Sequence, residues 1–115
     1  MRGLIVLILA SILSSTCYAV GVVNNFKVDF VRVDKSGRGY IQFDTPLVNP
    51  SSCINASNPG YLKSLAFDAT TDGGKAILSV ALSAKMSGKT VVARGTGTCI
   101  NYPNVIENWS FGYIQ

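Results

Sequence analysis

Between Asp72 and Lys89 the sequence DGGKAILSVALSAKMSGK is the one stretch with a clear helical period, and it restricts the fold to strands and turns built around a single helix. Ile77, Leu78, Val80, Ala81, Leu82, Ala84 and Met86 supply an apolar side. Lys75, Ser79, Ser83 and Ser87 recur every fourth residue and form one polar stripe. Asp72 is the expected N-cap, ahead of Gly73 and Gly74. Gly88 stands where a left-handed C-terminal residue is wanted, and Lys85 and Lys89 complement the negative helix end. A helix of about three to four turns covers one face or one open end of a small sheet.

The first residues read as a leader rather than as part of that domain. A basic start, Met1-Arg2, precedes the apolar run Leu4 to Leu13, and Cys17-Tyr18-Ala19 ends in the small residue that signal peptidase prefers. Residues 1–19 are therefore expected to be a signal peptide, and residues 20–115 one secreted or periplasmic domain. The alternative is an N-terminal membrane anchor, but the apolar run is shorter than the ~20 residues that a spanning helix needs. No further membrane span follows in the mature chain. Losing Arg2 leaves nine of the ten basic residues against all six acidic ones, a net charge of +3. These charges are scattered, which excludes the clustered basic patch of a nucleic-acid binder.

Of the three cysteines, Cys17 leaves with the leader and Cys53 and Cys99 remain. In an oxidising compartment an isolated pair in so small a domain is most simply a disulfide. Closing so long a loop stabilises the fold by about 4 kcal/mol in the chain-entropy treatment. The alternative, a metal or redox pair, lacks both a CxxC spacing and any histidine.

Elsewhere the pattern is of strands. Phe26 to Val33 alternates, Asp34 to Gly37 is a turn, and Gly39 to Asp44 is the return strand of a hairpin. Thr45 to Gly60, rich in Pro, Asn and Ser, reads as a loop pinned by Cys53. Tyr61 to Phe67 is a third strand, Thr90 to Arg94 a fourth, and Val105 to Gln115 a last one, with Val105, Glu107, Trp109, Phe111 and Tyr113 on one face. The fold class is thus mainly β with one helix, in the order β-β-β-α-β-β. That is the element order of the OB-fold, a five-stranded partly open barrel; another small α+β domain is the alternative.

Little in the chain proposes catalysis. Without histidine, Ser-His and Cys-His nucleophiles are excluded. The acids Asp29, Asp34, Asp44, Asp68, Asp72 and Glu107 show no pairing by spacing. The segment Asp68 to Gly73 has the start of a calcium loop but lacks its later bidentate Glu. The expectation is a non-enzymatic protein with no metal and no cofactor. Tyr40, Tyr61, Tyr102, Trp109 and Tyr113 are more large rings than so small a domain can bury completely. Rings with a polar tip suit sugar faces and protein interfaces alike.

AILSVALSAKMSGKTVV, then GTGTC, then Asn101-Tyr102-Pro103 and a final strand, resemble the B subunits of bacterial AB5 toxins of the subtilase-cytotoxin and typhoid-toxin kind. The Phe26 strand and the Gly39-Tyr40 return strand fit as well. The resemblance implies a secreted OB-fold, a homopentamer whose helices line a central pore, a bound cell-surface glycan, and a toxin A subunit as partner. The stripe Lys75, Ser79, Ser83, Ser87 is then the pore-facing side. Where the family uses a Ser on the first strand to contact sugar, this chain has Lys27. Where the family uses a Tyr after the helix, this chain has Arg94-Gly95. Lys27, Arg94 and Tyr102 are accordingly the candidate ligand-binding residues. The alternative function is a periplasmic protein-interaction module, an inhibitor or immunity-type protein, on the same scaffold.

Overall fold

The computed structural model describes residues 19–115. The expected leader over residues 1–19 lies outside the described residues except for Ala19. Five strands are present among these residues: β1 Val22–Val33, β2 Arg38–Phe43, β3 Ser64–Asp68, β4 Thr90–Gly95 and β5 Trp109–Ile114. The single α-helix among the described residues, α1, is Asp72–Ser87, and a 3-10 turn at Tyr61–Lys63 separates β2 from β3. The expected third strand from Tyr61 is thus a turn followed by a shorter strand, and the order departs from a plain β-β-β-α-β-β.

All four ladders are antiparallel, in the order β3-β2-β1-β4-β5. β1 is the shared strand. Its first half pairs β4, from Val22 opposite Arg94 to Lys27 opposite Thr90, and its second half pairs β2, from Val28 opposite Phe43 to Val33 opposite Gly39. Register shifts after Asn24 and after Val28 bend β1 between these two jobs. Asn25, at φ 59°, takes the left-handed conformation that the first bend requires. The outer strand β3 meets the residue just ahead of β5 at one isolated parallel bridge, Ala66 to Asn108, where the Ala66 amide donates to the Glu107 carbonyl at 2.8 Å. The sheet is therefore an open, five-stranded antiparallel one.

α1 lies against one face. Ala81 and Ala84 are buried there, with Ile77, Leu78 and Val80 partly so, against β1, β3 and β5 and in one core cluster with Val28, Leu65 and Phe67. Thr71, not Asp72, is the N-cap: its Oγ1 accepts the Gly74 N–H at 2.9 Å. Gly74 is required because a side chain there would run into the Asp68 carbonyl. The C-terminus ends as expected, on Gly88 at φ 70°. Leu82 and Met86, expected on the apolar side, are exposed at 45% and 88% and lie beside the exposed stripe Lys75, Ser79, Ser83 and Ser87. The helix buries a narrower face than its composition offers: only Gly74, Ala81 and Ala84 are fully buried.

A second, smaller core lies on the opposite face. There the segment after Cys99 folds back so that Tyr102 and Ile106 cover Tyr40 and Ala66. The disulfide Cys53–Cys99 forms, with its Cα atoms 5.9 Å apart. The loop before it is held by Val48, bridged to Val22, and by the Leu47 amide donating to Leu62 O at 2.9 Å. No helix among the described residues is long and apolar enough to cross a membrane.

Candidate functional site: an exposed aromatic face on β4 and β5

β5 shifts register against β4 between Arg94 and Gly95. Trp109, opposite Gly95, turns inward and is buried. Beyond the shift Phe111 lies opposite Arg94 and Tyr113 opposite Val92, and both rings face outward, 58% and 53% exposed. Gly112 between them leaves room for the Trp109 ring, whose Cζ2 would lie 2.6 Å from any Cβ placed there. On the other side of β4, Arg94 and Val92 lie opposite Val22 and Asn24 of β1. Directly opposed residues of antiparallel strands share a face. The result is a patch in which exposed Arg94 is flanked by Val22 on one neighbouring strand and Phe111 on the other, with Tyr113 one pair further along and exposed Val48 bridged to Val22.

Arg94 belongs to neither ion pair found among the described residues; both of those use Asp34. A cation with unspent donors beside two exposed rings can hold a polar ligand by hydrogen bonds and stack its apolar face. Nothing among the described residues encloses this patch in a cleft.

Tyr102 is elsewhere, in a polar cluster at the end of the β1–β2 hairpin. Its hydroxyl donates to Asp34 Oδ2 at 2.6 Å, and Arg32 Nε donates to Asp34 Oδ1 at 2.7 Å. Arg32 lies over the Tyr40 ring and Arg38 over the Tyr102 ring, 5.6 and 4.5 Å from the centroids. Arg38 also donates to Asn101 O at 3.2 Å. The Tyr102 hydroxyl, then Arg32, holds the Asp34 carboxyl below the usual carboxylate range. Burial, then the Asp34 carboxylate, pushes the Tyr102 phenol well up. Tyr102 itself is buried, so this cluster fastens the 101–104 turn to the hairpin and offers solvent mainly its arginines.

Lys27, Arg94 and Tyr102 do not converge. Lys27, opposite Thr90, and Arg94, opposite Val22, stand at opposite ends of the β1–β4 ladder, and Tyr102 packs over β2 and β3. Of the three, Arg94 alone lies in the exposed aromatic patch. The start of a calcium loop at Asp68 is an N-terminal helix lead-in. Asp68 Oδ1 accepts the Thr70 amide and hydroxyl at 2.9 and 2.6 Å. No group of three metal-ligating side chains occurs among the described residues.

Sequence reasoning missed Glu107. Parity placed it on a face with Val105 and Trp109, but β5 begins only at Trp109 and the preceding segment is irregular. Glu107 is fully buried. Its Oε2 accepts the amides of Gly21 and Gly97 at 2.9 and 3.0 Å, and its Oε1 accepts that of Ser51 at 2.9 Å. Gly21 and Gly95 lack side chains because a Cβ at either would run into this carboxylate. The signal that could have found it is a lone acid in the apolar segment VIENWSF, set against three glycines at positions 21, 95 and 97.

Compared with known proteins, the chain matches no family model, no curated protein and no solved structure.

Proposed function

We propose that this chain is a secreted, non-enzymatic binding protein of the AB5 B-subunit type, engaging a cell-surface glycan through the outer face of β4 and β5. The observation that carries the reading is Arg94, without an ion-pair partner among the described residues, set between Val22 of the central strand β1 and the exposed Phe111 of the edge strand β5. The strand order, the helix between β3 and β4, and the bridge from β3 to the residue just ahead of β5 support an OB-type barrel closed at one point. On this reading five copies form a ring, the Lys75-Ser79-Ser83-Ser87 stripe faces the pore, and an A subunit docks there. Multivalency then makes weak individual sites useful.

Glycan-array binding by residues 20–115 tests the lectin reading. Binding to a defined glycan class that is lost in Arg94→Ala and Phe111→Ala, with melting unchanged, supports it. Silence across sialylated and neutral glycans overturns it. Native mass spectrometry tests the ring: a pentamer is expected, and a clean monomer removes it. The second reading, a periplasmic protein-interaction module, is favoured by the flatness of the patch and by β5 itself. The outermost strand WSFGYI carries no charge and no proline to deter strand addition.

A further inference from the structure

Glu107 is an acid buried to 0% exposure whose contacts are all with backbone amides. A carboxylate offers about four acceptor positions, so three amides leave one unfilled. No cation reaches it: both ion pairs among the described residues belong to Asp34. The segments packed round it bring Gly21, Leu47, Ser51, Gly95 and Gly97, and the uncharged Cys53–Cys99 bridge lies beside Ser51. A buried charge without a partner is expensive.

The nearest backbone that could become charged is one residue away. Gly21 N lies 2.9 Å from Glu107 Oε2. One residue of chain spans at most ~3.6 Å, so Val20 N stands within about 6.5 Å of the same oxygen. The Ala19 carbonyl packs beside Gly97, 3.2 Å from where a Cβ would be, which holds the Ala19–Val20 peptide bond next to this clamp. While bonded to Ala19, Val20 N is a neutral amide. Hydrolysis breaks the Ala19 C–Val20 N bond, adds the hydroxyl of water to Ala19 and its proton to Val20, and leaves an α-amine that is protonated at neutral pH.

We propose that the Val20 α-ammonium, created by cleavage after Ala19, is the counter-ion of buried Glu107, so that processing itself stabilises the fold. This rests on the reading of residues 1–19 as a leader. The precursor lacks that cation, and its native state is correspondingly weaker until the leader is removed. The ammonium's folded pKa is raised above the ordinary ~7.7–8.0. Its contribution is therefore fully present below that range and fades as pH rises through the folded value.

The test uses chains with defined N-termini, so it does not depend on where the cell cleaves. Residues 20–115 contain every described strand, both cores and the disulfide. The free-amine form and its Nα-acetylated form are melted at pH 6 and pH 10, and the α-amine is titrated by NMR. The expected result is a melting point several degrees higher for the free amine at pH 6, on the order of 4–8 °C, with the gap closing at pH 10. The α-amine should titrate about one unit or more above its ordinary value. Equal melting of the two forms at pH 6, or an ordinary α-amine pKa, overturns the proposal. Glu107→Gln is the second variant: where it folds, a gap that vanishes supports the pairing and one that persists overturns it. Should it fail to fold, the comparison of the two wild-type forms still decides. N-terminal sequencing of the protein from its producing cells tests the leader reading separately.

Discussion

Replacing Cys53 and Cys99 together by serine is expected to destabilise the domain by about 4 kcal/mol. The bridge closes a loop of sequence separation 46, and the chain-entropy relation gives about 13 cal/mol/K for such a loop, or about 4 kcal/mol at 25 °C. Domains of this size have about 5–15 kcal/mol in total, so the loss is a large share. Urea unfolding of the double variant should move the midpoint down sharply. On the entropic account the cost falls on the unfolded chain, so protection of the amides that exchange through global unfolding should fall by a similar amount across the molecule, with no one site singled out. The bridge also joins the two loops that supply the Ser51 and Gly97 amides to Glu107. If it acts instead by holding that clamp together, exchange at Gly21, Ser51 and Gly97 should accelerate selectively. An unchanged urea midpoint would refute both accounts and would mean that the pair is not bridged in solution.

Three further outcomes follow from the packing. Gly95→Ala should cost about 2 kcal/mol or more by overpacking against Glu107, whereas Gly73→Ala, with nothing within 4 Å of its Cβ, should be neutral or stabilise α1 by about 0.5–1 kcal/mol; urea midpoints compare them. Thr71→Ala removes the N-cap acceptor of the Gly74 amide and should cost about 1 kcal/mol by thermal melting, while Asp72→Asn should cost clearly less. In Tyr102→Phe the Asp34 carboxyl should titrate higher by carbon-detected NMR. Its folded pKa is depressed, so its contribution is present above its unfolded value and lost as pH falls through the folded one; the variant should therefore lose less stability on acidification, with the loss complete at a higher pH than in the wild type.

What the sequence made legible is whatever rests on local period. Helix α1 and its Gly88 end were readable because apolar spacing and a left-handed glycine are local signals. The cap was not, because Thr70-Thr71-Asp72 offers adjacent candidates, and the choice is made by Gly74 packing on the distant Asp68 carbonyl. The first four residues of β1 escaped notice because the register shift after Asn24 breaks the alternation there. Arg94 was legible as a candidate, but its neighbours Phe111 and Tyr113 depended on the β5 register shift, which nothing local announces. The contact of Tyr102 with Asp34, 68 residues apart, and those of Glu107 are set by topology alone.

The three amides on Glu107 come from residues 86, 56 and 10 positions earlier in the chain. One side chain near the end thus closes a knot tied through the beginning, the middle and the last loop. A chain emerging amino end first during synthesis can pair β1 with β2 early, but its buried amides at Gly21 and Ser51 have no acceptor until residue 107 arrives. Folding is therefore held until the last residues are available, and truncation just before Glu107 should yield a collapsed chain rather than a smaller native one.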